Sequence, residues 1–226
     1  MKVEVGKLKD YKAVLFDLDG TITDPKVGIT SAVQHALAKS GIVVDDIDTL
    51  TPFIGPPLSN SFKEFYGFND QDAKRAVEYY REYFSAKGMY ENEVYPGMQE
   101  LLQALRGKGC RVLVATSKPS VFARKILKHF GLYKYIDCIV GSYLDGRRME
   151  KDQVVRYAVK WLRDMPREAM VMVGDRKFDV LGARAHGIDS IAVAFGYGSV
   201  EELESCEPTR IAHTVEELKS LLLGTE

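Results

Sequence analysis

The chain has 226 residues, 46% hydrophobic and 28% charged, with 31 basic and 32 acidic side chains and a formal net charge of −1. That length fits one large domain, or a main domain with a smaller partner. So even a charge balance provides no overall field for a nucleic-acid polymer or an anionic membrane, so an anionic ligand must be held by locally placed cations.

In chain order, the first element is a strand over Ala13 to Phe16, followed at once by Asp17-Leu18-Asp19-Gly20-Thr21-Ile22. Burying an acid at a strand end is costly unless a cation meets it. Two acids there point to a divalent metal, with one carboxylate free to act as a nucleophile.

Between Asp24 and Tyr95 the pattern is helical and contains no clear buried strand. Val27, Val33 and Leu37 mark one helix; Ala73, Ala76, Val77, Tyr80 and Phe84 mark another. Asp24-Pro25 and Tyr95-Pro96-Gly97 bracket this segment as hinges. A helical unit inserted after the first strand lies above the carboxyl ends of a parallel sheet, where such sheets bind ligands.

From Met98 onward, helices alternate with short apolar strands: Arg111 to Ala115, Cys138 to Val140, Met170 to Val173 and Ser190 to Ala194. Met98, Leu101, Leu102 and Leu105 repeat with helical spacing, as do Phe122, Ile126 and Phe130, and then Val154, Val155, Ala158 and Leu162. Strands without clean polar alternation, separated by amphipathic helices, predict a Rossmann-like, doubly wound α/β core around a parallel sheet. Gly109, Gly131 and Gly187 stand where left-handed caps would end helices. The expected division is a core of residues 1–23 and 95–226, with a helical cap over 24–94.

Thr116 and Ser117 follow the second core strand, Lys151 opens a later helix, and Gly174-Asp175 follows another strand with Asp179 four residues on. If these strands are neighbours, Asp17, Thr116 and Asp175 converge on one crevice. A carboxylate can attack phosphorus, hard oxygens suit Mg²⁺, and a hydroxyl with a fixed ammonium can hold phosphoryl oxygens. A second carboxylate can donate and then accept a proton. Lys118 precedes Pro119 and is expected at the surface or in a cap. His35, His129, His186 and His213 form no cluster and are given no catalytic role.

Asp17-Leu18-Asp19-Gly20-Thr21, Val114-Ala115-Thr116-Ser117, Lys151 and Gly174-Asp175-Arg176-Lys177-Phe178-Asp179 resemble the four motifs of the haloacid dehalogenase superfamily of phosphatases. The resemblance spans essentially the whole chain. It implies that Asp17 is nucleophile and Mg²⁺ ligand, and that Asp19 is general acid/base and a metal ligand through its backbone carbonyl. It also implies phosphate binding by Thr116, Ser117 and Lys151, metal ligation by Asp175, and support from Gly20, Thr21, Gly174 and Asp179. The inserted helices, Thr51 to Leu58 and Gly196-Tyr197-Gly198-Ser199 resemble the phosphoglycolate-phosphatase-like branch. Within the insertion, Phe53, Ile54, Gly55 and Pro56 are candidates for a loop that selects the substrate.

The implied activity is hydrolysis of a small phosphate monoester such as phosphoglycolate or a nucleoside 5′-monophosphate, through an aspartyl-phosphate. Asp19 suits an ester leaving group and speaks against dehalogenase or phosphonatase chemistry. A sugar phosphomutase is the alternative, although Arg147 to Asp152 lacks the Lys-Pro pair common in mutases. A receiver-like phosphoacceptor is the non-enzymatic alternative, at about half this length and without a lid.

The partner class is a small molecule, not a nucleic-acid polymer or a membrane, with monomer and homodimer both open. No apolar stretch reaches bilayer-spanning length, and Met1 to Gly6 lacks the features of a secretion signal. Cys110, Cys138 and Cys206 are odd in number and lack zinc-site spacing. Buried, inert thiols in a cytoplasmic protein are therefore expected.

Overall fold

Six parallel strands form the central sheet of the computed structural model, which describes residues 9–224. They are β1 (Ala13–Phe16), β4 (Arg111–Pro119), β5 (Cys138–Ser142), β6 (Met170–Gly174), β7 (Asp189–Val193) and β8 (Arg210–Ala212). Their order is β5-β4-β1-β6-β7-β8. The chain winds one way from β1 to β5, then crosses to β6 and winds the other way. β1 therefore lies at the reversal, where a crevice opens beyond the strand ends. The two neighbours hold β1 in register: Phe16 stands beside Val114 on one side and Val173 on the other.

Alternation of side chains across each strand sorts the core into two layers. Val14, Phe16, Val112 and Val114 face α4 (Met98–Gly107), α5 (Ser120–His129) and α9 (Val215–Leu223). Ala13, Leu15, Leu113 and Met172 face α6 (Lys151–Trp161) and α7 (Lys177–Ala185). Both faces are covered, so the strands read as continuous apolar runs. A short α8 (Val200–Ser205) packs Leu203 and Cys206 near the β7–β8 edge.

After β1 the chain makes a tight turn, in which the Gly20 N–H donates to the Thr23 carbonyl. It then pairs β2 (Thr23–Asp24) with β3 (Glu93–Val94) in an antiparallel ribbon. Between these two strands lie α1 (Lys26–Lys39), α2 (Leu58–Tyr66) and α3 (Asp70–Ala86), with α3 packed on both α1 and α2. The α3 residue Phe84 meets Phe122 of α5 edge to face, with ring centres 5.4 Å apart. One apolar cluster therefore runs from the inserted helices into the sheet's core.

Several local expectations change. Val27 projects to solvent, and Ile29, Val33 and Leu37 carry the buried stripe of α1 instead. β4 runs beyond Ala115 to Pro119 through a register irregularity, because Pro119 still stands beside Ser142. Strand β8 and helix α2 were not singled out in the sequence; β8 is a three-residue edge strand with no long apolar run. Gly109, Gly131 and Gly187 adopt φ of 78°, 69° and 64°, as the capping pattern predicts. Cys110 and Cys206 are buried, whereas Cys138 is half-buried; all three are free thiols. Burial pushes the Cys110 and Cys138 thiols up, against reactivity. Among the described residues, no helix is long and apolar enough to cross a membrane. The reading of Met1 to Gly6 lies outside the described residues.

Gly28 lets α1 approach the 3-10 turn at Gly88–Tyr90. A Cβ on Gly28 would lie 1.9 Å from the Gly88 carbonyl oxygen. Gly28→Ala should therefore cost about 2 kcal/mol or more of stability, because backbone must move. Gly107→Ala, at the open end of α4 with nothing near the added carbon, should be neutral or stabilising by up to about 1 kcal/mol. Urea unfolding of the two variants checks the contrast.

Candidate active site

Asp17 leaves β1 with its N–H still donating to the Val173 carbonyl at 2.8 Å, so the sheet fixes its backbone. Asp175 directly follows the last residue of β6. Thr116 sits within β4, and Lys151 is the first residue of α6. The parallel sheet brings these four together, along with Asp179 from the first turn of α7. Asp17, Asp175 and Asp179 form a buried cluster whose oxygens lie within 4.8 Å of one another.

Lys151 closes one side of the cluster. Its Nζ lies 2.9 Å from Asp17 Oδ1 and 2.7 Å from Asp179 Oδ1, and it donates to the Ala115 carbonyl at 3.2 Å. Both carboxylates are thus paired with this one ammonium. Burial alone would lower the Lys151 ammonium, but the Asp17 and Asp179 carboxylates outweigh it and raise its pKa. Lys151 therefore stays charged.

Asp175 is held from the other side. Its Oδ2 accepts the Tyr197 N–H at 2.8 Å, and the Thr21 hydroxyl reaches Oδ1 at 3.4 Å. Burial, then the charges of Asp17 and Asp179, push its carboxyl well above the usual range. Burial likewise pushes Asp179 up to about 6, against the pull of Lys151. Asp179 Oδ2 accepts the Arg176 N–H at 3.1 Å, which ties the start of α7 to the cluster.

Gly20 and Gly174 are among the glycines that admit this crowding. Gly20 adopts φ +79°, and a Cβ there would lie 2.1 Å from Asp175 Oδ2. At Gly174 the added carbon would lie 2.0 Å from Asp179 Cγ. The Thr116 hydroxyl faces inward and accepts the Lys118 N–H at 3.2 Å. Ser117 borders the neighbouring cavity, and its carbonyl accepts the Ser142 hydroxyl at 2.7 Å.

Lys118 is where the structure corrects the sequence expectation. It is buried, neither a surface nor a capping group, and its Nζ donates to Asp19 Oδ2 at 2.5 Å. The same ammonium lies 4.6 Å from the ring centre of Phe84 on α3. The irregular end of β4 turns the side chain inward, which a rule about residues before proline does not foresee. Burial pushes the Asp19 carboxyl up, and the Lys118 ammonium opposes the shift.

Beyond Asp19 a cavity opens between the inserted helices and the core. Phe53, Gly55 and Pro56 line it, whereas Ile54 is fully buried. Ile54 contributes its carbonyl, which accepts from Arg176 Nη1 at 2.8 Å. Arg176 also pairs with Glu202 of α8 at 3.0 Å, bridging the loop to the core. Arg176 and the Tyr197 N–H were not assigned contacts from sequence. Both act through partners remote in the chain, and only the resemblance drew attention to their neighbourhoods. The histidines stand apart from the cluster: His35 meets Glu82 and His186 meets Asp152.

Lys118→Met should leave Asp19 buried without its partner and destabilise the fold by about 3 kcal/mol. Adding Asp19→Asn should recover more than half of that loss in denaturant unfolding. Additive losses would show that the pair is not coupled.

Comparison with known proteins agrees with this architecture. Residues 14–193 match the family model described as haloacid dehalogenase-like hydrolase. A Pseudomonas aeruginosa protein named 5′-nucleotidase is 45% identical over 212 residues, covering 94% of this chain and 96% of its own. A Mycobacterium tuberculosis protein named tyrosine-protein kinase PtkA is 41% identical over 211 residues, covering 92% of this chain and 72% of its own. The crystal structure of a predicted phosphatase from Clostridium acetobutylicum superposes with a TM-score of 0.92 at 46% identity, covering 96% of this chain and all of that one. On sequence and fold together, the chain belongs to the haloacid dehalogenase-like hydrolase family and stands among its phosphatases.

Proposed function

We propose that this chain is a Mg²⁺-dependent phosphatase that hydrolyses a small phosphate monoester through an aspartyl-phosphate on Asp17. The observation that carries this reading is the meeting of Asp17, Asp175 and Asp179 around the Lys151 ammonium in one buried crevice. Thr116 and Ser117 lie on the neighbouring strand, at the side where non-transferred phosphoryl oxygens would sit.

The residues fit a divalent cation. Four buried carboxylates, Asp17, Asp19, Asp175 and Asp179, face two buried ammonium groups, Lys118 and Lys151. Asp17 Oδ1 and Asp179 Oδ1 share the single Lys151 ammonium, and Asp19 Oδ1 has no hydrogen-bond partner. Such an excess of buried negative charge is costly alone and suits an ion that takes hard oxygen donors. Asp17, Asp175 and the Asp19 carbonyl are assigned as ligands, with Asp179 in support. Mg²⁺ bound there would neutralise charge on the transferring group.

The remaining steps belong to the chain. An Asp17 oxygen attacks phosphorus, the bond to the leaving oxygen breaks, and protonated Asp19 gives that oxygen its proton. Asp19 then takes a proton from water as the water attacks phosphorus, which frees phosphate and restores Asp17. Lys151, Thr116 and Ser117 hold the other oxygens throughout. Residues 24–94 are taken as the lid over this reaction, and 1–23 with 95–226 as the catalytic core. Phe53, Gly55 and Pro56 line the cavity that Asp19 also borders and are assigned to substrate selection, with buried Ile54 holding their loop through its carbonyl. Phosphoglycolate and nucleoside 5′-monophosphates are the substrates we put forward. Water is preferred over a sugar acceptor because no Lys-Pro pair accompanies Lys151.

A phosphate-release assay over a metabolite panel tests the activity, with sustained Mg²⁺-dependent turnover expected. A single stoichiometric phosphorylation would reject hydrolysis. Asp17→Asn should lower kcat by at least about 10³ without changing the circular dichroism spectrum. Asp175→Asn should stabilise the metal-free chain, because it removes one of several mutually repelling buried charges. It should also abolish the Mg²⁺-induced rise in unfolding free energy, about 2.7 kcal/mol at a hundredfold excess over Kd for the parent. An unchanged metal titration would reject its role as a ligand.

A further inference from the structure

At the pole of the sheet opposite the carboxylate cluster, a cavity of about 380 Å³ opens beside the C-terminal half of α6. Arg156, Lys160, Arg163 and Arg167 line it, and among the described residues no carboxylate does. Its floor is apolar: Val159 and Met170 are buried, and Met165 is half-buried. Arg156 and Lys160 stand one turn apart on one face of α6, with Arg163 in the turn that follows. Arg167 comes from the 3-10 turn at Arg167–Ala169, just before β6.

The fold does not neutralise these four cations. Among the described residues none of them has an ion-pair partner. Asp164, beside Arg163 in sequence, pairs with Arg111 at 3.7 Å, and Asp152 meets His186 at 3.0 Å. The dipole of α6 favours a cation in its last turn, which accounts for Lys160 alone. Gathering the other three about the same apolar floor costs repulsion that an anion would relieve. Two lining groups are set in place without a ligand. Arg167 Nη1 donates to the His186 carbonyl, and the His186 ring, which also lines the cavity, is held by Asp152.

The size and charge of the anion follow from the donors. Guanidinium groups match phosphoryl oxygens in pairs. A monophosphate carries about −1.5 to −2 at neutral pH, too little to match four cations. Two linked phosphoryl groups supply more charge, and more oxygens to meet both α6 and the turn before β6. The 11 residues of α6 span about 16 Å, so a diphosphate here does not reach Lys151 at the other end.

We propose that this cavity is a second anion site, built for a diphosphate group, either free or carried on an organic molecule. It stands apart from the phosphatase reading and uses none of its residues. α6 carries Lys151 at its other end, β6 leads to Asp175, and α7 has Asp179 in its first turn and ends at His186. A diphosphate bound here ties together the far ends of the three elements that hold the carboxylate cluster.

Isothermal titration calorimetry of the full chain, in EDTA at low salt, tests the site. Without metal the active site sets four carboxylates against two ammonium groups and disfavours anions. Inorganic pyrophosphate should bind once per chain, at least about tenfold tighter than orthophosphate. The double variant Arg156→Gln, Arg163→Gln should weaken pyrophosphate binding at least about tenfold. Lys125→Gln with Lys128→Gln removes equal charge from exposed positions of α5, on the other face of the sheet. That pair should weaken binding less than about twofold, because exposed distant charges are screened. In the parent, pyrophosphate should slow hydrogen exchange at residues 156–170 and leave residues 17–21 unchanged. Either order between ADP and pyrophosphate upholds the site; tighter ADP assigns the carried form and tighter pyrophosphate the free form. No binding of pyrophosphate, equal losses in the two double variants, or protection centred on residues 17–21 would overturn the proposal. No turnover is measured, so each result stands whatever the phosphatase assay shows.

Discussion

An unbalanced set of buried charges organises this molecule. Four carboxylates at the top of the sheet meet two ammonium groups, and every one of the six is shielded from solvent. Lys151 is pinned by Asp17 and Asp179, and Lys118 is pinned by Asp19. Removing water from such groups is expensive, and the arrangement persists only because the surrounding backbone is over-determined. β1 is locked between two parallel neighbours, α6 delivers Lys151 from beneath, and the start of α7 is tied to Asp179. The fold is thus the means by which like charges are held closer than they would choose. Burial first, and then the charges of neighbouring carboxylates, raise the carboxyls of Asp175 and Asp179.

Much of this was legible in the chain. Strand-length apolar runs followed by Asp, Thr and Gly-Asp announced a parallel sheet whose strand ends carry chemistry. The periodic break after Asp24 announced an inserted helical unit. These signals are local, because a buried parallel strand and an amphipathic helix each write their own pattern. What depended on long-range geometry was not legible. Lys118 sits before a proline, where a surface or capping role is expected, yet it lies past a register irregularity in β4 and meets Asp19. The Tyr197 N–H satisfies Asp175 through the main chain, where side-chain identity leaves no trace. Val27 looked like part of a core stripe and faces water, because a single apolar residue at a helix start weighs little against the rest of the face.

The inserted helices are more than a cover. Phe84 of α3 lies over the Lys118 ammonium, so a side chain outside the sheet reaches the immediate partner of Asp19. Arg176, next to Asp175 in sequence, bonds the Ile54 carbonyl in the loop above. Each contact links a group of the carboxylate cluster to a residue that borders or supports the cavity. The upper elements and the carboxylate cluster are therefore packed as one unit.

The antiparallel ribbon of β2 and β3 is only two residues wide on each side. Everything above the crevice enters and leaves the sheet through it. Residues proposed to choose the substrate lie largely on the far side of the ribbon, and residues proposed to break the bond lie on the near side. On the proposed assignment, substitutions in the loops and helices above would alter the ligand range and leave the carboxylates and ammonium groups of the strand ends in place.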